Sequence, residues 1–357
     1  MRIIDCDSHF IVPEIFDYVP NELKSNLPEL IFNGDGQLVN VKYDIDPIKN
    51  IADGTSDTTH CELLGMSVIS NRIKDLATMK VDIQLLAPQE RAMRFNYSVE
   101  KNLGAAMSHS HNLTVKKIVE QYPDKFFGAA LVHLQDIDLG LQELEWAVKN
   151  NFKIVYIDYT NYNYKINSNI AWSAVERMDE FYKICEENEI VLYTHFSMHH
   201  KITFTIPEHI KLIKNNNPMN RLEMSLYDLA SSDIFDRYPK LQVVVTEGAQ
   251  KNMLKVLPVL KEAYARNPSL FKGKKHYLDY FKENIFFTID IEMKESFNLL
   301  FETVGSERLL FSTDYPHTDP SGLNKWKDTD DLYQSNLSQQ DLENIAFCNA
   351  EKLFQLK

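Results

Sequence analysis

Four side chains in this sequence have the types and placement to hold a divalent cation: Asp7, His9, His195 and Asp314. Each follows or closes a short apolar run. Met1-Arg2-Ile3-Ile4-Asp5-Cys6 leads into Asp7-Ser8-His9, Ile190-Val191-Leu192-Tyr193-Thr194 into His195, and Leu309-Leu310-Phe311-Ser312-Thr313 into Asp314. Residues two apart in an extended chain project to the same side, so Asp7 and His9 aim at a common point. Two carboxylates and two imidazoles suit one Zn²⁺ first, with Mn²⁺ or Fe²⁺ as alternatives. A cation held this way with an open position activates water for hydrolysis of an amide, ester, lactone or C–C bond beside a carbonyl. The same cation can bind a hydroxy acid while a nearby acid protonates carbon and CO₂ leaves. Glu247 closes a fourth run, Val243-Val244-Val245-Thr246. It supplies, with Asp314, the carboxylate chemistry for proton transfer.

Further candidates surround these. His199 and His200 follow His195, and His317 follows Asp314, all in segments expected to face substrate. Arg72, Arg91 and Arg94 flank the second apolar run, where a guanidinium would clamp a substrate carboxylate through paired hydrogen bonds. Asp158 and Asp290 also close apolar runs and would orient a ligand or line the site.

Such residues meet only if their runs are neighbouring strands. Eight β-rich runs are expected near 2–7, 81–87, 126–132, 152–158, 190–195, 241–247, 284–290 and 308–314. Their near-continuous apolar character fits parallel strands covered on both faces. Longer amphipathic stretches alternate with them, as in repeated βα units. Helices are expected over 138–151 and 171–187, and Ser338-Gln339-Gln340-Asp341 opens another like a capping box. The implied architecture is an α/β (β/α)₈ TIM barrel, whose chemistry lies at the carboxyl ends of its strands. One domain spans 1–357. The stretch at about 20–60, rich in Asn, Asp, Pro and Gly, reads as an insertion over the mouth after strand one.

Composition narrows the class of partner. Hydrophobic residues make up 44% of 357 and charged residues 25%, enough for a large core. The net charge is -13, from 51 acidic and 38 basic residues, with no basic block. Nucleic acid and anionic membranes are therefore not expected as partners. No run approaches a membrane span, and the start lacks a signal peptide's pattern. The four cysteines form no C-x-x-C pair, which argues against a structural zinc or disulfide framework. A cytoplasmic protein acting on a small molecule is the expectation.

The motif order resembles the amidohydrolase superfamily, in the amidohydrolase-2 branch that includes aminocarboxymuconate-semialdehyde decarboxylase. The resemblance rests on Asp5-Cys6-Asp7-Ser8-His9, Val81-Asp82-Ile83-Gln84, Pro123-Asp124-Lys125-Phe126-Phe127-Gly128 and Tyr193-Thr194-His195. It continues through Phe235-Asp236-Arg237-Tyr238-Pro239-Lys240-Leu241, Thr246-Glu247-Gly248, Phe311-Ser312-Thr313-Asp314-Tyr315-Pro316-His317 and Asn349-Ala350-Glu351-Lys352-Leu353-Phe354. It implies a single divalent metal on Asp7, His9, His195 and Asp314, with Asp314 doubling as a proton-transfer group. It also implies a homodimer. Two departures stand out: Asp7 takes a place commonly held by His, and Glu247 stands where the decarboxylases carry a catalytic His. The second ranks hydrolase first and decarboxylase a close second. A non-catalytic binding protein of the same fold is third.

Overall fold

A computed structural model describes residues 1–42, 58–60, 64–89, 101–158, 161–163, 168–195, 204–246, 248–317 and 327–356. Its centre is a parallel sheet whose strands follow one another in chain order: β1 (Ile4–Asp5), β2 (Ile83–Pro88), β3 (Phe126–Leu131), β4 (Ile154–Asp158), β5 (Val191–His195), β6 (Val243–Val245), β7 (Ile285–Ile289) and β8 (Leu309–Phe311). β2, β4, β5 and β7 are buried along their whole length. That explains why they read as unbroken apolar runs. Between strands run α1 (Ile69–Met79), α2 (Lys101–Gln121), α3 (Ile137–Lys149), α4 (Met178–Glu187), α5 (Arg221–Ser231), α6 (Ala249–Arg266) and α7 (Lys294–Val304). This is the (β/α)₈ barrel expected from the sequence.

Register places polar residues at one end. In the β4–β5 ladder, His195 pairs with Asp158 and Tyr193 with Tyr156. Alternation then sends Tyr156, Asp158, Tyr193 and His195 to the same side of the sheet. The rings of Tyr156 and Tyr193 lie 5.7 Å apart and near parallel, and Tyr156 stacks 5.9 Å from His195.

The long segment after β1 builds a three-stranded antiparallel sheet from Glu29–Phe32, Leu38–Lys42 and Thr58–His60. The Ser67 hydroxyl donates to the Leu38 carbonyl and ties this sheet to the approach of α1. Two boundaries differ from expectation by three residues or more. β8 stops at Phe311, so Asp314 lies in the following turn with φ 52°, the left-handed region that Asp tolerates better than most residues. α4 starts at Met178, seven residues late, because Trp172–Ala174 forms its own 3₁₀ turn, pinned by Asp228 accepting from the Ser173 amide. At the C-terminal end, Ser338 accepts from the Asp341 amide and opens the helix Gln339–Glu343 as expected. Among the described residues no helix is long and apolar enough to cross a membrane.

Candidate metal centre

β1 breaks after Asp5, and the chain resumes in extended form at His9–Phe10, which pairs with the far end of β2. Asp7 and His9 flank this break, both buried. Asp7 Oδ1 lies 4.0 Å from His9 Nε2 and 3.8 Å from His195 Nε2. Across the barrel's closing edge, Asp314 Oδ1 approaches His9 Nε2 to 3.2 Å, although the two do not meet in hydrogen-bond geometry. The structure thus brings Asp7, His9 and His195 into one group within ligand reach, and His9, Asp314 and His317 into a second. His317, expected as a substrate contact, stands close enough to be a ligand, its ring 5.1 Å from that of His9.

The donor set fits a divalent cation. Metal–ligand bonds of roughly 2.0–2.2 Å put two ligands of one ion about 3–4 Å apart. The separations of 3.2, 3.8 and 4.0 Å lie in that range. His9 Nδ1 faces the Pro88 carbonyl at 3.0 Å. A carbonyl only accepts, so Nδ1 carries the proton and Nε2 offers its lone pair toward the carboxylates. Tyr193 fixes Asp7: its hydroxyl donates to Asp7 Oδ1 at 2.7 Å and lies 2.8 Å from the Cys6 carbonyl.

Electrostatics point the same way. Burial alone would depress His9, but contact with Asp314 and the charge of Asp7 outweigh it and bring the imidazole up to about 9. Burial would raise Asp314, yet His9, His317 and His195 together hold it below the usual carboxylate value. Two anionic oxygens therefore draw a positive charge to this point, which a proton on His9 or a metal ion can supply. Asp314 sits deep in the mouth while keeping 41% of its side-chain surface accessible.

Other sequence candidates fall differently. Arg72 does not line the mouth. It is fully buried, with Nε donating to Gln84 Oε1 (2.8 Å), Nη1 to the His9 carbonyl (2.7 Å) and Nη2 to Ser8 Oγ (2.5 Å). The expectation that it clamps substrate is corrected, because its donors hold the backbone around His9. Asp290 caps its own turn by accepting from the Glu292 amide. Glu247, His199, His200, Arg91 and Arg94 lie outside the described residues.

Three contributors escaped the sequence reading. Asp5, fully buried, accepts from Gln84 and Thr313 behind the ligands. Tyr193 is two residues before His195, and strand alternation alone would have marked it. Arg221, only 6% exposed, donates to Asp158 Oδ2 at 2.8 Å and so enters the layer of His195. A cation in the first turn of α5 opposes the helix dipole, and that local conflict was the available signal.

Comparison with known proteins adds to this geometry. The family model described as Amidohydrolase matches residues 72–356. Gamma-resorcylate decarboxylase of Polaromonas sp. strain JS666 is 22% identical over 251 residues, covering 67% of this chain and 73% of its own length. Among solved structures, 2,6-dihydroxybenzoate decarboxylase complexed with 2,6-dihydroxybenzoate superposes with a TM-score of 0.68 at 18% identity, covering 100% of both chains. Dihydroxybenzoic acid decarboxylase from Polaromonas sp. JS666, with bound manganese and the inhibitor 2-nitroresorcinol, gives 0.67 at 18% identity over 99% of this chain and 97% of that one. At these identities the structures speak for the fold. These relatives are decarboxylases, which favours the second of the two reactions weighed from sequence over hydrolysis. With the family model spanning most of the chain, from Arg72 past His195 and Asp314, the chain belongs to the amidohydrolase family.

Proposed function

We propose that this chain is a divalent-metal-dependent, non-oxidative decarboxylase of a small hydroxylated aromatic or conjugated acid. The observation that carries the reading is the meeting, at the strand ends of a barrel with decarboxylase relatives, of two ligand groups that share His9: buried Asp7, His9 and His195, and Asp314 3.2 Å from His9 with His317 beside it. Asp7, His9, His195 and Asp314 would hold the ion, with His317 within reach. When bound, the ion supplies a positive anchor for a carboxylate and an adjacent hydroxyl oxygen.

The protein's own groups do the rest. Tyr193 holds Asp7 in place through a hydrogen bond to Oδ1, and the Pro88 carbonyl keeps His9 in the ligating tautomer. Tyr156 and Tyr193 stack as a buried layer beside His195 and exclude water from behind the ligands. Asp314, accessible on its mouth side and held ionised at rest, relays the proton. It takes one from the substrate's hydroxyl and delivers it to the ring carbon as the bond to the carboxylate breaks and CO₂ leaves; solvent then reprotonates the hydroxyl oxygen. Glu247 orients substrate or relays that proton.

Manganese moves ahead of zinc in this proposal, because a half-carboxylate ligand set suits it and one neighbour holds it. The proposal also includes one domain with a mouth insertion at about 20–60, a homodimer, and a cytoplasmic site of action. Hydrolysis remains the second reading on the strength of Glu247, a carboxylate where the decarboxylase resemblance calls for imidazole. The test is CO₂ release from 2,6-dihydroxybenzoate and related hydroxybenzoates by manganese-loaded protein. Release that vanishes in Asp314→Asn supports decarboxylation. No release across the panel, with turnover of an ester or lactone, would put hydrolysis first.

A further inference from the structure

Neighbouring strands in this barrel are mostly joined by backbone ladders, as in the five register pairs of β4 and β5. β1 and β8 are different. Their described backbone links are the Cys6 amide to the Phe311 carbonyl (2.9 Å), the His9 amide to the Tyr315 carbonyl (2.6 Å) and a lone bridge between Ser8 and Tyr315. Side chains do much of the remaining joining. Asp5 Oδ1 accepts from the Thr313 amide at 3.0 Å, and Asp5 Oδ2 from the Thr313 hydroxyl at 2.5 Å and Gln84 Nε2 at 2.7 Å. Gln84 Oε1 accepts in turn from Arg72 Nε. The same guanidinium donates to Ser8 and to the His9 carbonyl, and lies 4.6 Å over the ring of Tyr315. The Tyr315 hydroxyl donates to Asp75, one turn along α1 from Arg72.

The candidate ligands straddle this seam. Asp7 and His9 stand on its β1 side and Asp314 on its β8 side, next to Thr313. Two polar links from Arg72 end on His9 itself and on its neighbour Ser8, and the third runs through Gln84 to Asp5, two residues from Asp7. A fully buried guanidinium loses its hydration and is costly to retain unless its donors are well used. Here they are used to fix one backbone and, through Gln84 and Asp5, the other. We propose that Arg72 is a positioning residue for the metal centre: acting through Gln84 and Asp5, it closes the β1–β8 seam at the spacing that lets His9 and Asp314 share one cation. The inference rests on the metal-site part of the reading above and not on the reaction.

The experiment measures Mn²⁺ affinity directly, from the free-Mn²⁺ electron paramagnetic resonance signal, in purified full-length protein. Arg72→Met should weaken binding by about 10- to 100-fold, the size typical of lost support behind metal ligands. Arg72→Lys, which keeps charge but not the three-way fork, should recover part of that loss. Thr313→Val reaches the same chain from the other side and should weaken binding several-fold, which keeps the test alive if Arg72→Met does not fold. Leu144→Ala, buried on α3 away from the seam, serves as a stability control. It should lower the melting temperature while binding Mn²⁺ as the wild type does. Unchanged affinity in Arg72→Met and Thr313→Val, or a loss no larger than in the control, overturns the role of Arg72. Wild-type protein that takes up no Mn²⁺ or Zn²⁺ overturns the metal reading and this inference together.

Discussion

The two ends of the barrel use polar side chains in opposite ways. At the base, where strands begin, a cavity of about 630 Å³ is bordered by Glu186, Lys240, Glu283, Arg308 and Cys348. Its polar groups have settled partners: Glu186 accepts from the Lys240 amide, Lys275 meets Glu283, and Arg308 donates to Gln242 while lying 4.7 Å over Phe286. At the mouth, two groups of ligand-type side chains share His9, Asp7 and His195 on one side and Asp314 and His317 on the other, and His9 and Asp314 face each other without hydrogen-bond geometry. The base offers a cavity whose charges are paired, and the mouth a convergence of ligand-type atoms. Convergence of such atoms at the carboxyl ends of strands is what marks a site.

The largest effect should come from breaking the mouth outright. His195→Ala removes a fully buried ligand and should cost on the order of 10³-fold or more in kcat/KM, with bound metal lost in parallel. Metal retained at wild-type stoichiometry in that variant would remove His195 from the ligand set.

Next comes Asp228, on α5 between the two ends. Burial pushes its carboxyl up to about 6, against the hydrogen bonds from Ser173 that pull it down. Below about pH 4 the folded and unfolded chains both hold this proton, so it contributes nothing. As pH rises toward 6 the unfolded chain releases the proton and the folded chain keeps it, so stability falls over that window, by about 3 kcal/mol at most. Asp228→Asn should flatten that part of a denaturation-versus-pH curve; a curve that keeps its slope would place the titrating group elsewhere.

A smaller effect sharpens the geometry of the mouth. Arg221→Met removes the guanidinium beside Asp158 and should raise KM by roughly 10-fold, about 1.4 kcal/mol, without changing metal content. Unaltered KM would make the pair a fastener of α5 only. The smallest effect belongs to the base. Arg308→Ala should lower stability by about 1 kcal/mol through its lost contact with Phe286 and leave kcat/KM within about twofold. A large loss of activity there would collapse the contrast between the ends.

Much of this architecture could be read from the chain because buried parallel strands must be apolar throughout. β2 and β5 show that signal plainly, and His195 follows from it. Asp314 was found by type and motif, but its turn was not, since nothing in Ser312-Thr313-Asp314 announces a left-handed residue. Arg72 was misread for a physical reason: a charged residue on an amphipathic helix normally faces water, and only tertiary structure shows it turned inward. Arg221 was missed by the same logic, although a cation in the first turn of α5 was a signal. The helix 171–187 was drawn too long because helical spacing persists through Trp172–Ala174, where the Asp228 contact to Ser173 imposes a separate turn.

The seam has a consequence for how the protein comes into being. Asp5 and Thr313, the residues that join its two sides, are 308 positions apart in sequence. The candidate ligands Asp7 and His9 must therefore wait until β8 is made before either could share an ion with Asp314. A partly synthesised or C-terminally truncated chain would present Asp7 and His9 but no completed cage. Tight metal capture would thus report that the β1–β8 seam has closed.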